Sequence, residues 1–176
     1  MEEEGIEVVT LSNLSIKEKF EENQETFEDN AKAKALYYYN LAKMPTLADD
    51  GGFEINYLNG QPGVKSRRWL GFEATDKQLI EHLNSIIKQI PEDKRTARFV
   101  SVCCLVKSPT EIYLAKNCIE GLLTNEYNDN YPEGFPYRAF FIEKTFNKYM
   151  MDLTEEEYRQ IDHRGKNIEE LIKHLV

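Results

Sequence analysis

The chain has 176 residues, 41% of them hydrophobic and 30% charged, a balance that fits one globular domain and excludes a disordered chain. Its net charge of −9, from 22 Lys and Arg against 31 Asp and Glu, excludes a broad basic face for a nucleic-acid polymer. No apolar run approaches the roughly 20 residues that span a bilayer, and the acidic start Met1-Glu2-Glu3-Glu4 is unlike a secretory leader, so a cytoplasmic protein is expected.

Residues 6–11 (IEVVTL) are short and β-branched and predict a strand, followed by a polar, acidic stretch over residues 12–25. Thr26 reads as the N-cap of a helix through Ala31, Ala35, Tyr38 and Ala42, with Asp29 a short stand-in for the capping-box Glu and Met44-Pro45 as the stop. Thr46-Leu47-Ala48 predicts a short strand running into Asp49-Asp50-Gly51-Gly52, and residues 54–58 a separate one. Asn59-Gly60 and Pro62-Gly63 are turn signals. Thr75 caps a second helix with Leu79, Leu83, Ile86, Ile87 and Ile90 at helical spacing. Residues 98–106 predict a buried strand and 111–119 its antiparallel partner; 137–142 predict another strand. Thr154 opens a short helix with Glu157 at the capping-box position, and residues 167–176 form a last amphipathic helix. Cys103 and Cys104 lie in an apolar run, and with Cys118 they form no CxxC or zinc spacing, so the pair reads as reduced core residues. The order of elements describes an α/β or α+β domain with a mixed sheet.

Five segments carry candidate chemistry. TFEDNAKAKA (26–35) places acids at a helix start, where they otherwise serve the helix dipole. TLADDGGF (46–53) places paired aspartates before glycines, which suits a hard cation that bridges to phosphates, or a solvated turn. LNGQPGVKSRR (58–68) combines glycines, whose backbone N–H groups can approach a phosphate, with cations that can pair with it; a plain basic turn is the alternative. GFPYRAFF (134–141) offers aromatics that can sandwich a flat base or pack a core, and DHRGKN (162–167) a His-Arg pair between helices.

In this order, and from about Gly5 to Val176, the five segments resemble the inosine triphosphate pyrophosphatase family, whose pattern reads TFxENAxxKA, ALADDSGL, LNGxPGVxSxR, GFGYDPxF and SHRGKA. The resemblance implies an α/β fold with a mixed central sheet, flanking helices and two lobes around a nucleotide cleft. It implies hydrolysis of ITP, dITP or XTP to the monophosphate and pyrophosphate, with Mg²⁺ as cofactor, in a homodimer with no nucleic-acid polymer or membrane partner. It places Asp29 and Asp50 on the metal, with Asp50 also taking the proton of the attacking water. Lys34 falls on a phosphate-contacting Lys and Arg68 on the Arg of SxR. Phe135 and Tyr137 match the base-stacking aromatics, and His163 and Arg164 the pair beside the base.

The sequence departs from that pattern in several places. The expected opening strand and its [ST]xNxxK loop are not found: Asn13 and Lys17 are spaced one residue too far apart and lie too close to Thr26. A single domain over 1–176, shortened at its N-terminus, is therefore expected. Asp29 replaces Glu with a shorter carboxylate. Gly51, at the position of a substrate-side Ser, lacks the hydroxyl. Arg138-Ala139 replaces Asp-Pro and inverts a charge beside the base, and Tyr158 stands five residues before the HRG in place of a Lys that reads the purine's keto edge. These changes leave a second reading open: a relative that has lost turnover but still binds nucleotides or only dimerises.

Overall fold

Thr26 sits in extended geometry and its hydroxyl accepts the Asp29 N–H at 3.0 Å, which starts α1 (Phe27–Ala42) where the cap predicts it. This is seen in the computed structural model, which describes residues 5–175. The Asp29 carboxylate takes the Thr26 hydroxyl at 2.7 Å. At the other end Lys43 adopts a left-handed conformation and donates its N–H to the Tyr39 carbonyl at 2.8 Å, so the helix closes just before Met44-Pro45. Phe27, Ala31 and Ala35 recur every four residues and form its buried face.

The two strands expected on either side of the double aspartate are one. β1 runs unbroken over Thr46–Ile55, and only then does a 3₁₀ turn, Asn56–Leu58, replace the predicted strand. Gly51 explains the continuity. A Cβ there would lie 2.5 Å from the Val100 carbonyl oxygen, so only glycine lets the two backbones come this close. The buried positions shift from Ala48 and Asp50 to Phe53 and Ile55, so the period-2 alternation slips by one across Gly51-Gly52.

β2 (Gln61–Gly63) pairs antiparallel with β1, Phe53 opposite Gly63 and Ile55 opposite Gln61. α2 (Asp76–Ile87) carries a full capping box between Thr75 and Gln78 and buries Leu79, Leu83 and Ile87. β3 (Thr96–Ser108) and β4 (Glu111–Leu123) overrun their predicted ends and are joined by only Pro109-Thr110. The strand expected over residues 137–142 begins instead as a 3₁₀ turn, Pro136–Phe140, with Pro136 at its opening, where a helical turn needs no N–H. Only β5 (Phe141–Glu143) is extended, and it pairs antiparallel with β4 and with β6 (Lys148–Tyr149). α3 (Glu155–Ile161) has the predicted Thr154–Glu157 capping box. α4 (His163–Ile172) starts four residues before the predicted Asn167, which takes the HRGK segment into the helix.

The expected strand at residues 6–11 does not form among the described residues. Thr10 gives both its N–H (2.9 Å) and its hydroxyl (2.7 Å) to the Asn13 side chain, and the chain turns. β-propensity describes a fit to neighbours, and local side-chain bonds prevail where no ladder forms.

The sheet runs β2-β1-β3-β4-β5-β6. The fold is mixed α/β, and its contacts resolve into two compact units. The first holds the chain up to Asp50, Val102–Lys116 and the residues from Arg164 onward; the second holds Gly51–Ser101 and Asn117–His163. The core of the second gathers Phe53, Ile55, Leu79, Leu83, Phe140 and Phe141. That of the first centres on Cys103, Leu105, Ala115 and Leu171. Cys103 and Cys104 are buried thiols outside any disulfide, as expected, while Cys118 is exposed. Burial pushes the Cys104 thiol up to about 11, against a lowering by Lys32 and with a further rise from Cys103.

Candidate active site

In the first unit, charged groups meet around the double aspartate. α1 presents Lys34 to the first half of β1, where its ammonium donates to the Asp49 main-chain oxygen at 2.7 Å and pairs with the Glu22 carboxylate. From the first turn of α4, the Arg164 guanidinium meets the Asp49 carboxylate at 2.8 Å. Alternation along β1 turns Asp50 the other way, and the residue is only 9% exposed. Such a group is tolerated away from water only with partners that answer its charge. Asp29 is exposed at the opening of α1, with its carboxylate on the Thr26 hydroxyl.

These oxygens suit a hard cation. Mg²⁺ keeps several waters and takes one or two carboxylates plus substrate phosphates, not a full protein cage. Among the described residues no group of three or more His, Cys, Asp or Glu side chains could hold a metal alone. Asp50 and Asp29 each offer a carboxylate of the kind that Mg²⁺ takes.

The second unit holds the aromatic segment. Gly134, at φ +87°, is where the chain turns, and its N–H donates to Asp76 at 2.7 Å. Phe135 follows, 44% exposed, and the Arg138 guanidinium lies over its ring at 4.6 Å. Tyr137 is a core residue. Its ring stacks on Phe53 at 4.9 Å and its hydroxyl donates to the Ser66 carbonyl at 2.6 Å. Burial pushes its phenol well above the usual range, with Arg67 pulling slightly the other way. Ser66 in turn accepts the Phe53 N–H (2.9 Å) and donates to the Gly63 carbonyl (2.6 Å), which binds the SRR turn to β1. Arg68 is exposed on that turn, and His163 is the first residue of α4. Arg138 and Tyr158 line one cavity of about 360 Å³ with Met150, Leu153 and Thr154. A second, of about 790 Å³, is lined by Arg67, Asp76, Tyr127, Tyr131 and Gly134.

A family model described as the Ham1 family matches residues 1–174. The chain belongs to the Ham1 family. Among curated proteins, a dITP/XTP pyrophosphatase of Bacillus subtilis (strain 168) is 34% identical over 175 residues, 99% of this chain and 87% of the relative. One of Vibrio cholerae is 34% identical over 172 residues, 96% of this chain and 84% of the relative. Among solved structures, the Staphylococcus aureus Ham1 protein superposes with a TM-score of 0.80 at 32% identity, covering 96% of this chain and 86% of that one. A nucleoside-triphosphatase / dITP/XTP pyrophosphatase from Mycobacterium abscessus does so with a TM-score of 0.76 at 31% identity, covering 96% and 87%. The membership and the α/β fold expected from the five motifs are borne out.

Within this Ham1-family chain, contacts that no motif announced organise the residues that the motifs did announce. Glu22 on Lys34 and Asp49 on Arg164 went unread because each is a polar residue in an acidic chain, and only its partner distinguishes it. Asp49 left one local trace: next to Asp50 on a strand, it must face the opposite side. No helix among the described residues is long and apolar enough to cross a membrane.

Proposed function

We propose that this chain hydrolyses non-canonical purine nucleoside triphosphates, of the ITP, dITP and XTP class, to the monophosphate and pyrophosphate with Mg²⁺. The observation that carries the reading is the gathering of Lys34 and Arg164 on Asp49, beside the nearly buried Asp50 on the same strand. Relatives named dITP/XTP pyrophosphatase, matched over almost the whole chain, support the substrate class.

In this reading Asp50 and Asp29 hold the magnesium, which offsets phosphate charge and orients water when bound. Asp50 accepts the proton as a water oxygen attacks phosphorus, and the bond between the α- and β-phosphates breaks with pyrophosphate leaving. Lys34 binds phosphate oxygens in exchange for Glu22. Arg68 adds a further cation, and Gly51 contributes backbone alone. Phe135 supplies the stacking surface and Tyr137 braces the turn that presents it. Arg138, His163 and Arg164 read the base edge. A cytoplasmic homodimer of one domain completes the reading.

A second reading, a relative that binds nucleotides without turnover, draws on the Lys34–Glu22 pair, which a phosphate must displace. Pyrophosphate release from ITP, dITP, XTP and ATP with Mg²⁺ separates the two. Release from the first three well above ATP is expected. Binding without release from any of them selects the second reading.

A further inference from the structure

We propose that Asp49 is a positioning residue that holds the Arg164 guanidinium in place for the nucleotide, an inference that rests on the function proposed above. Asp49 touches two cations through different atoms. Its main-chain oxygen accepts the Lys34 ammonium at 2.7 Å, and its carboxylate meets the Arg164 guanidinium at 2.8 Å. The first contact survives any substitution that keeps the backbone, and the second needs the carboxylate.

The pair is half in water, with 52% of the Arg164 side chain and 39% of the Asp49 side chain exposed. Ion pairs this exposed contribute little to folding. Their effect is on orientation. A guanidinium is a planar fork of five donors, and a carboxylate that takes part of the fork fixes its plane. An arginine already ordered gives up less freedom on binding, so affinity rises without any contact between Asp49 and the nucleotide. Arg164 sits in the first turn of α4, where the helix backbone fixes its Cα but not its long side chain. Asp49, on β1, adds a constraint on that side chain from a separate element.

The test is a double-mutant cycle of Asp49→Asn and Arg164→Gln in the full chain, read by calorimetric binding of inosine 5′-monophosphate and by ITP kinetics. Asp49→Asn is expected to weaken monophosphate binding and raise KM about tenfold. kcat is expected to stay within about twofold, since a positioning loss falls on binding. In the Arg164→Gln background the same change is expected to add nothing beyond about twofold. Asp49→Glu, which keeps a carboxylate in reach, is expected to recover most of the affinity, and urea midpoints are expected to stay close to the parent's. Equal losses in both backgrounds, equal impairment by Asn and Glu, or no monophosphate binding by the parent protein overturn the proposal. Coupled monophosphate binding without pyrophosphate release sinks the hydrolase reading and leaves the role of Asp49 standing; release with additive losses does the reverse.

Discussion

Gly51 shows how one missing side chain sets local architecture. The family pattern has a serine at this place, and the bare residue here lies where a Cβ would come within 2.5 Å of the Val100 carbonyl oxygen. That oxygen belongs to a strand backbone, which cannot swing aside as the end of a flexible side chain can. Reinstating the serine, Gly51→Ser, is therefore expected to destabilise the protein by about 1–3 kcal/mol, the usual penalty of overpacking. A lower urea midpoint at unchanged slope is the check; an unchanged midpoint means that β1 and β3 separate at no cost. Ser66 and Tyr137 act by the opposite means. Each supplies a hydroxyl at 2.6 Å to a main-chain carbonyl, and together they tie the SRR turn to the aromatic segment.

The helices were readable because their starts are local. Thr26, Thr75 and Thr154 each cap a helix by bonding to a backbone N–H three residues on, so four residues of sequence contain the whole interaction. α3 carries a pH dependence in its capping box. The Lys148 ammonium, at 2.6 Å, and then the Thr154 N–H hold the Glu157 carboxyl below its ordinary 4.5. A depressed carboxyl stabilises the fold above its unfolded value, and the contribution fades as pH falls through the lower folded one. The stability gap between the protein and Glu157→Gln is thus expected to be full at neutral pH and to close once the medium is more acidic than the folded carboxyl. Urea titrations across that range measure it, and a gap independent of pH removes the argument. Strands were less readable because their partners lie elsewhere in the chain. Residues 6–11 have the composition of a strand and turn instead on Asn13, while β1 persists through Asp-Asp-Gly-Gly, which by composition reads as a turn.

At the scale of the molecule, the proposed function asks an acidic chain to take up a polyanion. With a net charge of −9, phosphates in that reading would depend on local cations and a metal. ITP with Mg²⁺ is expected to raise the melting temperature, by linkage worth about 2.7 kcal/mol at a ligand concentration 100 times Kd. EDTA is expected to remove most of that rise, and so is Asp50→Asn. A rise untouched by EDTA argues for binding without the metal. Five ordered motifs were enough to reveal the family and its α/β fold, because ancestry is written in residue order and capping is written within single turns. Which side chains meet was not on that page. Lys34 from α1 and Arg164 from α4 converge on Asp49 of β1, with α4 far along the chain from the other two, and Tyr137 reaches Ser66 across 71 positions. Contacts of that kind depend on how distant backbones approach in three dimensions, which no short window of sequence encodes.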